Sequence, residues 1–348
     1  MFKQISVFLL DSDWIAPDVQ AIGEALALAR FVPCEPTQKE SVGWIDPRGL
    51  PESPLVESID GHLILKQLKE VKKLNKGQVQ DLLDQKVEQI KKSTGVERVG
   101  TRTKKELKEQ AEFELLPNCY PSKSSTLVWI DTKARRLVIG SSSTGTTDGI
   151  VTALIHAFSE IGSSLSVRPL QTKMSPAVAM ADWLTTMEPP AEFTVDRECV
   201  LKGNDEMKAT VRYGNHALDI QEIVDHIQNH GKMPKSLAMS FRERVSYVLG
   251  DDLSIKKISF GDLVYEGKDG VDANNFDGDV AIATAELSQL VTAMIEVLGG
   301  EHDFAAAEPA AAAGEPAVAS EGSAAEGENP FEDPAEAGAG AQLAEALS

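Results

Sequence analysis

Three apolar runs crowd into residues 236–260, and their spacing limits the fold more than any other feature of the chain. SLAMSF (236–241), RVSYVLG (244–250) and SIKKISF (254–260) are separated by two or three residues, with Asp251–Asp252 in the second gap. Each run suits a strand, being of strand length and bounded by polar residues. Links this short join antiparallel neighbours, because a parallel pair needs a crossover of about a dozen residues or more. The arrangement recurs. TLVWID (126–131) and RLVIGSS (136–142) flank the polar TKAR and read as a hairpin. FTVDRECVL (193–201) and MKATVRY (207–213) flank the turn-rich KGNDE. Two further strands are expected at KQISVFLL (3–10) and HLILKQL (62–68), the second becoming basic at its end.

Helical stretches lie between these runs. Pro17 is expected to open a helix through Ala21, Ile22, Ala25, Leu26 and Ala29, since proline suits a first turn. Thr147–Ile161 reads as a helix stopped by Gly162, and Val280–Leu298 as one stopped by Gly299–Gly300. Asp219 with Glu222 resembles a capping box ahead of the apolar face Ile220, Ile223, Val224 and Ile227. The expected fold class is α+β, with mixed hairpin-rich sheets and interspersed helices. It lacks the strict alternation of a doubly wound parallel sheet.

Charge is segregated along the chain. Among 348 residues, 34 Lys and Arg stand against 54 Asp and Glu, a net charge of −20. Residues 301–348 hold 11 acidic side chains and no Lys or Arg. The large apolar side chains after Asp303 are only Phe304, Val318, Phe331, Leu343 and Leu347. So few cannot offset the entropy of ordering, and a disordered acidic Ala/Glu/Pro tail is expected over 303–348. Residues 66–110 have the opposite balance, with 13 basic and seven acidic side chains. Val79, Leu82, Leu83, Val87 and Ile90 share one helical face, and Thr103 and Glu106 are spaced to open a second helix that Pro117 ends. A basic helical hairpin projecting from the sheet is therefore expected over 66–124, with i, i+4 pairs such as Glu88 and Lys92. This makes 66–124 a tip and 1–65 plus 125–172 a central α+β region. A second α+β region, the base, spans 173–302.

These features bound the function. A hydrophobic content of 42% fits a soluble globular protein. The short apolar start is followed by Asp11 and Asp13, which is unlike a signal peptide, and no run reaches the roughly 18 apolar residues of a membrane span. Cys34, Cys119 and Cys199 are far apart and odd in number, as suits a reducing cytoplasm. Signals for catalysis are weak. Gly140–Gly145 looks like a phosphate loop but lacks the lysine such loops use. His226 and His230 have metal-sharing spacing, but no catalytic Glu stands at 227 and no third ligand is evident. Asp272, Asn274, Asp277 and Asp279 hint at calcium, but Phe276 breaks the alternation of oxygens. No catalytic residue, cofactor or metal is expected.

The positive signal is the basic segment. Lysines that meet phosphates release condensed counterions, and charges beyond about 8–10 Å are screened, so a net charge of −20 does not prevent local contact with nucleic acid. Lys66, Lys69, Lys72, Lys104, Lys105, Lys108 and Lys123 are candidate phosphate contacts, with Lys235 from the second half.

Short motifs in fixed order carry a family resemblance over nearly all of residues 1–300. They are Phe31-Val-Pro-Cys34, Gly43-Trp44, Gly61-His62, Leu115-Leu116-Pro117, Trp129-Ile130-Asp131, Trp183-Leu184 and Leu237-Ala238. Asp251-Asp252-x-Ser254-x-Lys256 and Leu298-Gly299-Gly300 complete the series. The chain resembles the recombination-associated RdgC family. The resemblance implies a ring-shaped homodimer of curved α+β protomers through which double-stranded DNA passes. It implies sequence-independent binding, restraint of RecA-promoted strand exchange, a nucleoid-associated place in the cytoplasm, and no enzymatic activity. It adds Tyr120 and Arg212 as DNA-facing residues. It also marks Asn118, Gly214 and Asn215 as departures, since basic residues are expected there. Two other readings stand beside it. One is a cytosolic adaptor that binds proteins through the basic hairpin and acidic tail. The other is a hydrolase using Asp251, Asp252 or His226.

Overall fold

Among the described residues every strand pair is antiparallel, as expected for the closely linked runs. The structure is a computed structural model and describes residues 1–50, 53–203, 208–264 and 276–302. The tail expected over 303–348 lies outside the described residues. In chain order the first half supplies β1 (Ser6–Leu10), α1 (Val19–Ala27), β2 (Glu40–Ile45), β3 (Val56–Ile59) and β4 (His62–Lys72). There follow α2 (Lys76–Thr94), α3 (Thr101–Leu115), β5 (Pro121–Asp131), β6 (Arg136–Ile139), α4 (Thr144–Glu160) and β7 (Val167–Pro169). The second half supplies α5 (Pro176–Thr186), β8 (Phe193–Gly203), β9 (Thr210–Gly214), α6 (Gln221–Gln228), β10 (Lys232–Phe241), β11 (Val245–Gly250), β12 (Ile255–Phe260) and α7 (Phe276–Val297).

The first sheet has the order β2-β4-β5-β6-β1-β7, and β3 shares the β4 edge with β2. Its strands alternate between two cores, because successive side chains point to opposite faces. Leu63 and Leu65 of β4, Val128 and Ile130 of β5, and Leu137 and Ile139 of β6 pack with Ile22 and Leu26 of α1 and Ile150, Leu154 and Phe158 of α4. Ile64, Trp129 and Val138 face the other way, into a core shared with the second sheet. That sheet has the order β12-β11-β10-β8-β9. Backbone bonds between Ile5 and Ile255, at 2.7 and 3.0 Å, join the two sheets, and α7 supplies Val280, Leu287, Leu290 and Val291 to the shared core.

Several boundaries differ from expectation, each for a local reason. Pro17 stands outside its helix, because Asp18 is the cap and accepts the Gln20 N–H at 3.0 Å. Asp219 and Glu222 form no capping box: α6 starts one residue later, behind Ile220, and Glu222 instead accepts the Tyr213 hydroxyl at 3.1 Å. Gly100 precedes α3, so Thr103 sits inside its first turn and Glu106 pairs with Arg102 at 3.2 Å. Glu88 pairs with Lys91 rather than Lys92. Residues 66–72 and 121–124 are strand, so only the middle of 66–124 is helical. α7 begins at Phe276, four residues before the expected start, and is long and apolar enough to cross a membrane. Here its apolar residues line the core, and its buried Glu286 accepts hydrogen bonds from the Arg244 guanidinium.

Candidate nucleic-acid interface

β4 and β5 pair over eleven positions, from His62 opposite Asp131 to Lys72 opposite Pro121. Beyond that end the chain forms α2 and α3. Asn75 caps α2 by accepting the Gly77 N–H at 2.8 Å, and Gly95 ends it in the left-handed conformation (φ 69°). Lys91 and Lys92 in the last turn suit the negative end of the helix dipole. The two helices meet through Leu83, Val87 and Leu107, with Ile90 and Val99 at the margin. Lys86 bridges them by pairing with Glu114 at 2.6 Å.

Nine of the ten sequence-derived candidates are basic and fall into two groups. In the first, the charge is already engaged within the protein. Lys72 is buried and donates to the carbonyls of Glu35 and Pro36, each at 2.7 Å. Lys66 donates to the Pro47 carbonyl at 3.2 Å, and Lys69 pairs with Glu40 at 3.0 Å. Lys123 pairs with Glu70 at 3.3 Å and stands 5.8 Å from the Phe31 ring centroid. Lys235 pairs with Asp251 at 2.6 Å. In the second group are Lys104, Lys105, Lys108 and Arg212. They face solvent, and among the described residues no carboxylate pairs with any of them. Lys104 and Lys108 are i, i+4 on α3 and so stack on one flank of the helix. Tyr120 is 95% exposed, so its ring stands open to solvent.

Glu70 is the residue that sequence reasoning missed. It is buried, accepts the Cys34 N–H at 2.8 Å and holds Lys123. The Cys34 N–H bond, with help from Lys123, holds its carboxyl below the usual range. Burial, then the Glu70 contact, pushes the Cys34 thiol up, so that thiol is unactivated. The signal available in the sequence was the position of an acid within a strand whose neighbours on that face are Leu68 and Lys72.

The other chemical candidates are occupied. The His226 Nδ1 accepts from the Lys232 ammonium at 2.9 Å, and its Nε2 lies 3.7 Å from Glu222. Asp252 accepts from the Ser254 N–H and hydroxyl. Burial raises its pKa, but these two bonds, the nearby Lys256 charge and its own backbone N–H together leave it lowered. Asp277 pairs with Arg48 at 2.6 Å, while Asp272 and Asn274 lie outside the described residues. Among the described residues no three His, Cys, Asp or Glu side chains gather as a metal site would need. Gly140–Gly145 is the turn from β6 into α4.

Comparison with known proteins matches residues 1–301 to a family model described as "Putative exonuclease, RdgC". A "Recombination-associated protein RdgC" from Dechloromonas aromatica is 34% identical over 306 residues, covering 86% of this chain and 98% of that protein. One of the same name from Burkholderia cenocepacia is 32% identical over 314 residues, covering 89% and 99%. Another, from Ralstonia nicotianae, is 34% identical over 307 residues, covering 87% and 97%.

Proposed function

This chain belongs to the RdgC family of recombination-associated proteins, and from that premise we propose that it binds double-stranded DNA without regard to sequence. In this reading two copies form a ring around the duplex, and the bound ring restrains RecA-promoted strand exchange on the nucleoid. The observation that carries it is the division within the basic segment. Most cations near the sheet are neutralised inside the protein, while Lys104, Lys105 and Lys108 stay exposed and unpaired among the described residues. Unpaired lysines on one helix suit phosphates, which they can meet without breaking an internal bond. Tyr120 adds an exposed ring just after the same helix.

A nuclease reading follows from the family description. Two-metal nucleases gather carboxylates around their ions. The binding and nuclease readings differ in whether strand breaks form, which is measured directly below.

Four measurements test the reading. Charge reversal at Lys104, Lys105 and Lys108 together should weaken duplex binding and leave the dimer, measured by sedimentation, intact. An encircling ring should slide off a linear duplex yet stay on a closed circle after a salt jump, and equal dissociation from both would count against encirclement. Tyr120→Phe should bind like the native chain and Tyr120→Ala more weakly, because the ring rather than the hydroxyl is assigned the contact. Strand breaks on incubation with magnesium or manganese would replace the binding role with the nuclease one.

A further inference from the structure

The second sheet holds a separate concentration of basic side chains. β8 and β9 pair so that Lys202 stands opposite Thr210 and Val200 opposite Arg212. Paired residues share a face and the strand period is two, so Lys202 and Arg212 lie on one face as diagonal neighbours. Such neighbours are about 7–8 Å apart, within reach of long side chains. On the other side of β8, Pro234 stands opposite Leu201 and Ser236 opposite Val200. Lys235 is therefore the extra residue of a bulge, a device that re-aims a side chain out of the regular alternation.

Lys202, Lys208 and Lys235 line one open cleft of about 370 Å³, with Ala177, Met233 and Asp251 on its walls. Asp251 neutralises Lys235. No carboxylate among the described residues pairs with Lys202 or Lys208. Among the described residues these like charges are kept close together with Asp251 as the one paired carboxylate, and close like charges cost stability unless an anion shares the site. The charges also do not converge on one point. They run from the cleft to Arg212 along the sheet face, a layout suited to successive phosphates of a chain rather than to a single small anion.

We infer that this cleft is a second phosphate-contact site for the nucleic-acid backbone, with Lys202 and Lys208 as direct contacts and Arg212 continuing the track. The inference rests on the DNA-binding reading above and adds Lys202 and Lys208, which neither the basic segment nor the family resemblance supplied. Lys235 takes part only if phosphate competes with Asp251, so the test is built on the other two lysines.

The experiment compares the full chain with Lys202→Gln/Lys208→Gln and with Lys202→Arg/Lys208→Arg. The probe is a fluorescent duplex of arbitrary sequence, titrated across a series of salt concentrations. Each lost phosphate contact lowers the slope of log affinity against log salt by about 0.9. The glutamine pair should therefore lower the slope by about two units in all, while the arginine pair keeps it. Melting no lower than that of the native chain in both variants shows that folding is intact, and the two single glutamine variants should each show about half the effect. An unchanged slope in the glutamine pair, with charge reversal on α3 still weakening binding, overturns the cleft and leaves the DNA reading standing. A native chain that binds no duplex overturns both. Inorganic phosphate at matched ionic strength is the last arm. If it occupies the cleft in the native chain and the glutamine pair still keeps the duplex slope, the site is one for a small anion and the inference is wrong.

Discussion

Two of the short motifs owe their composition to each other. The Phe31 N–H donates to the Trp44 carbonyl at 3.0 Å, and the Trp44 N–H donates to the Ala29 carbonyl at 2.9 Å. This lays residues 29–31 along β2 so closely that a Cβ on Gly43 would stand 2.3 Å from the Phe31 Cα. No side chain fits there. Gly43→Ala should lower stability by about 1–3 kcal/mol, the range for overpacking a filled site, as read from urea unfolding. Three residues on, Cys34 is held by Glu70, whose pKa is lowered in the folded state. A carboxylate of this kind stabilises the fold above its unfolded pKa, about 4.3 for Glu, and that contribution is lost as pH falls through the lower folded value. The gap in stability between the native chain and Glu70→Gln should be widest near neutral pH and close in acid. A gap that stays constant from pH 7 to pH 3 would show that the charge of Glu70 contributes nothing.

Among the elements, the helical pair α2–α3 depends on few buried side chains, chiefly Leu83, Val87 and Leu107. Leu107→Ala should cost about 2–5 kcal/mol within that pair, seen as faster amide exchange across α2 and α3 while β4, β5 and β6 stay protected. The strands were readable because the alternation of Leu63, Ile64 and Leu65, and of Val128, Trp129 and Ile130, has the period of a sheet buried on both faces. Helix starts were less readable. Asp18, Asn75 and Gly100 compete as caps with nearby Pro17, Thr101 and Thr103, and a shift of one residue costs little. The stretch Lys66–Lys72 fits either period, and pairing with β2 on one side and β5 on the other decides it as strand. The role of individual lysines was hidden for a different reason. Their partners Glu40, Pro47, Glu70 and Asp251 come from distant segments or from across the sheet, so the sequence lists the cations but not which are spent.

The whole molecule carries a net charge of −20 and still presents lysines on α3 and beside β8 that no carboxylate among the described residues pairs with. Opposed surfaces of this kind are compatible because screening confines each field to its neighbourhood. In the proposed reading the overall negative charge also limits unspecific adhesion, so that DNA would be met only at the basic places. The most direct measurement is the affinity for two duplexes of equal length and unrelated sequence, followed from 50 to 200 mM salt. If about 6–10 phosphates are neutralised, both affinities should fall together by roughly 10³–10⁵ over that range. A curve that is flat in salt, or a strong preference for one of the two sequences, would contradict binding through the phosphate backbone.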